Sequence, residues 1–187
     1  MTDIFDFEKK TEHYAVVGNP IKHSKSPMIH TEFAKQTDQK IIYQAIHVDI
    51  GGFTQAVRNF QANNGKGLNI TVPFKIKAYN LVDELSQRAK RAGAVNTIIV
   101  EKDGKLKGDN TDGYGLVADL IARLNWQIKD KKIAILGAGG ASRGVLEPIL
   151  EQQPTEIFIA NRTASKAKDL AEEFISLGKI QGGSYHD

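Results

Sequence analysis

The residues best suited to chemistry in this sequence begin with a glycine-rich turn. In residues 131–144, KKIAILGAGGASRG, an apolar run meets Gly137, Gly139 and Gly140 and then a segment of helical character. Glycines let a backbone turn sharply and approach a ligand without a Cβ in the way, and the N-terminus of a following helix points free N–H groups at a phosphate. A dinucleotide pyrophosphate fits that description. The pattern G-x-G-x-x-G is not complete, because Ser142 stands where the third glycine is expected, although a small residue there still permits close packing. A second apolar run, residues 157–160, follows at the distance of a βαβ unit and ends in Asn161-Arg162-Thr163, with Lys166 close behind. A strand of this kind often ends in the Asp or Glu that holds the ribose 2′-hydroxyl of NAD; Arg162 and Lys166 would attract a 2′-phosphate instead. The expected cofactor is NADP.

Four further positions carry polar groups where ligands collect. Ser24, Lys25 and Ser26 precede Pro27, so Ser26 is placed as an N-cap and Pro27 as the first helical residue. Two hydroxyls flanking a lysine at a helix N-terminus also suit a small carboxylate, and residue type does not choose between cap and site. Lys75 follows the third expected strand, at the end of a parallel sheet where ligands gather, yet a lone lysine there is usually a solvated surface group. Asn96 stands among apolar neighbours and must find hydrogen bonds if it is buried. Residues 108–115, GDNTDGYG, set four polar side chains among three glycines before a helix. Residue type makes Asp112 a helix cap before it makes it a catalyst.

These positions need elements to hold them. The expected strands are residues 14–18, 42–50, 68–72, 94–100 and 133–136, the last buried on both faces. Leu68, Ile70 and Val72 alternate with Asn69 and Thr71. The expected helices start at residue 26, with Ile29 and Phe33 on the buried side, and continue with a Phe53, Val57, Phe60 stripe, which is core. A single helix over 79–91 would bury Leu81, Val82, Leu85, Ala89 and Ala92. Another covers 116–124, followed by Trp126 as a packing residue; Pro148 implies a kink or a missing hydrogen bond in the helix after the glycine turn. Asp103-Gly104 marks a hairpin turn. Strand and helix alternate, so the fold class is α/β.

Composition excludes several function classes. The 187 residues are 41% hydrophobic and 25% charged, ordinary for a globular protein, and a net charge of +3 is too small and too scattered to argue for nucleic acid. No cysteine is present, so neither disulfides nor thiolate chemistry are available, which is compatible with a reducing cytoplasm. The five histidines lack metal-ligand spacing, and no metal is expected. Residues 1–10 are too charged for a signal peptide, and no apolar run approaches membrane-spanning length, so a soluble, cytoplasmic protein without a membrane partner is expected.

Six blocks in order, VVGNPIKHSKSPMIH (16–30), NITVPFK (69–75), AGAVNT (92–97), GDNTDGYG (108–115), GAGGASRG (137–144) and NRTASKA (161–167), closely resemble the shikimate dehydrogenase family. The resemblance implies an N-terminal α/β substrate domain over residues 1–109 and an NADP-binding Rossmann domain from 110, with the active site between them. It implies reversible reduction of 3-dehydroshikimate to shikimate by NADPH, in aromatic amino-acid biosynthesis. Residue by residue, Ser24 and Ser26 would bind the substrate carboxylate, and Asn69, Thr71, Asn96 and Asp112 the ring hydroxyls, with Lys75 and Asp112 as the catalytic pair. Gly137, Ala138, Gly139, Gly140 and Ala141 would surround the pyrophosphate, and Asn161, Arg162, Thr163 and Lys166 would read the 2′-phosphate end.

The resemblance covers this chain but only part of the family. A Rossmann domain of this family continues through several more strands, with a substrate-binding glutamine, nicotinamide contacts and helices that pack back onto the first domain; here one further strand is expected near Lys179. Residues 110–187 are therefore expected to form an incomplete Rossmann domain, truncated on its C-terminal side, whose open edge could pair with a second copy as a homodimer. Two competing readings are a catalytically inactive ligand-binding or interaction module, and a relative that also accepts quinate with relaxed cofactor use.

Overall fold

The computed structural model describes residues 11–187, and the signal-peptide expectation on residues 1–10 lies outside the described residues. The first sheet contains β1 (Glu12–Gly18), β2 (Ile41–His47), β3 (Gly65–Ile70), β4 (Glu84–Leu85), β5 (Thr97–Val100) and β6 (Leu106–Asp109), in the order β2-β1-β3-β5-β6-β4. β1 is parallel to both β2 and β3, because α1 (Ser26–Gln36) and α2 (Phe53–Ala62) provide the crossovers. The ends of β1 and β3 therefore lie side by side, bringing the turn after Gly18 next to the turn after Ile70. β5 runs antiparallel to β3 and β6, and the β5–β6 connection turns at Gly104 (φ +86°), where the Asp103-Gly104 signal placed it. Phe53 and Phe74 stack at 4.9 Å in the core of this lobe, with Val17, Val57, Leu68, Ile98 and Leu106 buried around them.

The second sheet is a parallel βαβ unit extended by one strand: β7 (Lys132–Leu136), β8 (Glu156–Ala160) and β9 (Ile180–Gly183), in that spatial order. α6 (Gly140–Leu150) and α7 (Ala164–Phe174) supply Leu146, Leu170 and Phe174 to a core with Ile157 and Ile159. α5 (Asp112–Ala118), continued by a π-helical turn over Asp119–Arg123, packs on α6. Gly113 makes that contact possible, because a Cβ there would collide with the Gly144 carbonyl oxygen. Among the described residues no helix is long and apolar enough to cross a membrane.

Several local expectations are corrected. Ile29 and Phe33 do not face a core: they are exposed, and Ala34 is the buried residue of α1. Periodicity identifies residues that share a helix face, but not whether another element covers it. Here the face borders an open 420 Å³ cavity lined by Tyr14, Phe33, Tyr43 and Leu68. The single helix over 79–91 is instead α3 (Lys75–Leu81), β4 and α4 (Gln87–Ala92). The edge of β6 accepts Glu84 and Leu85 as a ladder, and the Ser86 hydroxyl caps α4 by accepting from Ala89 N–H at 3.1 Å. Gly93 closes α4 in the left-handed conformation (φ +58°).

β7 is not covered on both faces. Among the described residues it pairs with β8 alone, Ala134 is exposed, and Leu136 is 75% exposed. Trp126 is likewise exposed rather than packed, and β3 ends at Ile70, leaving Val72 exposed. β2 stops at His47, β5 begins only at Thr97, and α5 begins at Asp112 rather than residue 116. α6 continues through Pro148, which is buried near Gly113.

Candidate active site

Lys75 is the first residue of α3, and its carbonyl accepts from Val95 N–H at 2.9 Å, which anchors the start of the helix to the segment leading into β5. The Lys75 Nζ forms an ion pair with Asp112 Oδ2, the two side chains being 13% and 25% exposed. It is thus not the solvated surface group that residue type alone allowed. Asp112 does not cap its helix: Thr111 is the N-cap of α5, and its side chain makes no capping hydrogen bond. The second carboxylate oxygen of Asp112, Oδ1, accepts from Asn96 Nδ2 at 2.8 Å. One carboxylate is thereby held between an ammonium and an amide, which fixes its plane.

Asn96 is buried, and its amide is used on both sides. Nδ2 also donates to Thr111 Oγ1 at 3.0 Å, while Oδ1 accepts from Thr111 N–H at 3.0 Å and from Thr97 Oγ1 at 2.9 Å. The requirement that a buried asparagine be satisfied is met. Asn69, on β3, donates to Thr97 Oγ1 at 3.4 Å and accepts from the Tyr43 hydroxyl at 2.6 Å. A continuous polar chain therefore runs from Tyr43 through Asn69, Thr97 and Asn96 to Asp112 and Lys75.

Tyr43 was not apparent from the sequence, where it is one aromatic residue in a strand. Its ring stacks on His30 with centroids 4.2 Å apart, and its hydroxyl is pushed up to about 12, mainly by burial, against an opposing hydrogen bond from Ser26. It is a neutral donor throughout the physiological range. Only the placement of β2 beside β1 in the same sheet as β3 brings it to Asn69, and no local pattern carries that signal.

Ser24, Ser26 and Thr71 line one pocket of 280 Å³ together with Ile21 and His23. The cap assignment shifts by one residue: Lys25 is the N-cap of α1 and its side chain makes no capping hydrogen bond, Ser26 is already helical, and Ser24 Oγ accepts from Ser26 N–H at 3.3 Å. Pro27 then falls in the first turn, where its missing N–H costs nothing.

The glycine-rich turn faces this cluster. Gly137 has φ +108°, a conformation that requires glycine, and its N–H donates to the Ala160 carbonyl at 2.7 Å. Ser142 braces the loop through a hydrogen bond from Oγ to the Gly137 carbonyl at 2.7 Å, so the residue in the third glycine's place has a use of its own. Gly139 is the N-cap of α6, and among the described residues no side chain caps this helix, which leaves first-turn N–H groups for an anion. Ala138 packs against the lobe's core and Ala141 is exposed. A Cβ on Gly140 would lie 3.2 Å from Lys75 Cβ, so the turn abuts the Lys75–Asp112 pair directly. At the end of β8, Asn161 Nδ2 donates to the Thr163 carbonyl at 2.8 Å, and Arg162, Thr163 and Lys166 are exposed. A left-handed glycine turn, an uncapped helix start and two exposed cations after the next strand fit a phosphorylated dinucleotide.

The fold and this site define a two-lobed α/β protein in which the turn of a Rossmann-type βαβ unit meets a lysine–aspartate pair from the other lobe. Residues 16–98 match the family model for the shikimate dehydrogenase substrate binding domain, and residues 119–181 match that for shikimate / quinate 5-dehydrogenase. The chain belongs to the shikimate dehydrogenase family. It is 54% identical over 172 residues to the shikimate dehydrogenase (NADP(+)) of Saccharophagus degradans, covering 92% of this chain and 62% of that protein. The corresponding protein of Chromobacterium violaceum is also 54% identical, over 94% of this chain and 64% of its own length. Among solved structures, shikimate 5-dehydrogenase from Thermus thermophilus in complex with NADP(H) and shikimate superposes with a TM-score of 0.81 at 32% identity, covering 90% of this chain and 62% of that one. The chain thus spans slightly less than two thirds of the length of these relatives.

Proposed function

We propose that this chain carries the catalytic pair and the pyrophosphate turn of an NADP-dependent shikimate dehydrogenase, which interconverts 3-dehydroshikimate and shikimate. The observation that supports this reading is the Lys75–Asp112 ion pair lying against Gly140 of the glycine-rich turn. Residues 1–109 would form the substrate lobe and 110–187 the start of the nucleotide lobe. Ser24 and Ser26 would donate to the substrate carboxylate in the pocket they share with Thr71. Asn69, Thr71, Asn96 and Asp112 would orient the ring hydroxyls.

Gly137, Ala138, Gly139, Gly140 and Ala141 would hold the pyrophosphate of NADP, and Asn161, Arg162, Thr163 and Lys166 its 2′-phosphate end. The cofactor, when bound, supplies the hydride that converts the ketone carbon to an alcohol carbon. The carbonyl oxygen then carries negative charge, which the Lys75 ammonium stabilises and neutralises by giving up a proton. Asp112 would hold that ammonium in place and orient the alcohol, and in the reverse direction the neutral Lys75 amine would take the alcohol proton back. In the assembled protein, the exposed edge of β7 would be available to a further strand or to a second copy of the chain.

The test is NADPH formation by the purified 187-residue chain with shikimate and NADP, with Lys75→Ala as the blank. Turnover that depends on the lysine supports the reading; turnover unchanged in Lys75→Ala sinks it.

A further inference from the structure

Asn110 joins the two lobes beneath the proposed catalytic pair. It is 2% exposed, and both ends of its amide are used. Nδ2 donates to the Ala94 carbonyl at 3.0 Å, two residues before Asn96, and Oδ1 accepts from Asp112 N–H at 3.1 Å. The same side chain thus braces the segment that carries Asn96 and the backbone of the carboxylate that Asn96 and Lys75 hold. Its amide also lies against α6: a Cβ on Gly144 would fall 2.9 Å from both Nδ2 and Oδ1. α6 begins at Gly140, which faces Lys75, so one helix of the nucleotide lobe touches Lys75 at its first residue and the support of Asp112 one turn later.

We propose that Asn110 is a positioning residue that transmits the seating of α6 to Asp112, so that the geometry of the Lys75–Asp112 pair depends on the helix of the phosphate turn. This rests on the function proposed above. The Ala94 carbonyl is buried and has no water to replace the amide, so removing the amide breaks the bridge between that carbonyl and the Asp112 N–H and frees the Asp112 backbone to move. Interiors are close-packed, and a methyl group added at Gly144 has to displace the amide from its other side. The two residues act on one degree of freedom.

The test is a double-mutant cycle with Asn110→Ala and Gly144→Ala. Each single variant is expected to lower kcat for shikimate oxidation about 10- to 100-fold, with a much smaller change in KM for shikimate, because the pair is misplaced while Ser24, Ser26, Asn69 and Thr71 remain to bind the substrate. In the double variant the Gly144 methyl fills the space the amide has left, so kcat falls no further than in Asn110→Ala alone. Losses that multiply in the double variant, or that appear in KM instead of kcat, would overturn the proposal. If Asn110→Ala does not fold, Asn110→Ser takes its place in the cycle. The backbone amide resonance of Asp112, followed by ¹H–¹⁵N NMR, gives a readout that does not need turnover. It is expected to move in both single variants and to be unaffected by Gly144→Ala once Asn110 is gone; an Asp112 resonance unmoved by Gly144→Ala refutes the coupling. A wild-type chain that neither turns over nor binds shikimate would refute the proposed function, while the resonance still decides the positioning.

Discussion

Lys75 and Asp112 are 37 residues apart in the chain and form an ion pair, with Asn96 donating to the far oxygen of the same carboxylate. α3 presents the lysine, α5 the aspartate and the turn before β5 the asparagine, so three elements converge on one carboxyl group. The convergence is what makes each of them worth testing separately.

Replacing Lys75 with alanine removes the proposed proton donor and leaves the pocket lined by Ser24, Ser26 and Thr71 intact. General acid–base groups typically contribute about 10²- to 10⁴-fold, so turnover should fall by that order while shikimate affinity changes far less. Steady-state rates alongside calorimetric titration with shikimate check this. A parallel collapse of affinity would assign Lys75 to binding rather than chemistry.

Arg162 stands exposed after β8, where an NAD-preferring protein would place a carboxylate. A hydrogen bond to a charged group contributes about 1.5–3 kcal/mol, so Arg162→Ala should weaken NADP binding by roughly 10- to 100-fold and NAD binding hardly at all. Equal losses for the two nucleotides, measured by fluorescence titration, would remove Arg162 from phosphate recognition.

Gly113→Ala places a methyl group into the Gly144 carbonyl oxygen and Pro148. Overpacking of this kind costs about 1–3 kcal/mol and here wedges α5 from α6. A lower Tm by calorimetry, with reduced activity because Asp112 opens α5, is the expected outcome. A Tm equal to that of the unaltered chain would show that the two helices separate without penalty.

Acid stability should depend on Arg88. Asp109 is held down to about 2, first by hydrogen bonding from Arg88 and further by Ser86 and the Asn110 N–H, against the opposing effect of burial. The folded value lies below the ordinary carboxylate value, so the stabilisation is fully present above pH ~4 and is lost as pH falls towards 2. Arg88→Ala should therefore lower stability at neutral pH by roughly 1–2 kcal/mol, discounted for the solvent exposure of the arginine, and should flatten the decline between pH ~4 and ~2. Urea unfolding across that range measures both. An unchanged acid limb in Arg88→Ala would mean that other carboxylates set the acid limit.

Much of the local structure was legible because it depends on neighbours in the chain. Glycines 137, 139 and 140 after an apolar run define a turn, the next apolar run completes a βαβ unit, and Asp103-Gly104 turns a hairpin, each from backbone preferences within a few residues. Lys75 stood at an expected strand end, Asn96 inside an expected strand and Asp112 in a glycine-rich loop, and residue type alone left the first a surface group and the last a cap; only the resemblance paired Lys75 with Asp112. Which other groups they would touch was not legible. Ile29 and Phe33 had the right period for burial, yet nothing described covers their face; residues 79–91 had the composition of one helix, yet the edge of β6 drew out a strand.

The sequence by itself determined where the chain could turn, which residues could bear charge in those turns, and the alternation that makes an α/β fold. Tertiary structure decided that Tyr43 reaches Asn69, that Asp112 pairs with Lys75 instead of capping α5, and that Asn110 sits between Asp112 and Gly144. The physical reason is separation along the chain. Turn and helix preferences are short-range energies written in adjacent residues, whereas these pairings exist only once sheet order and helix packing have brought segments tens of residues apart into the same few ångströms.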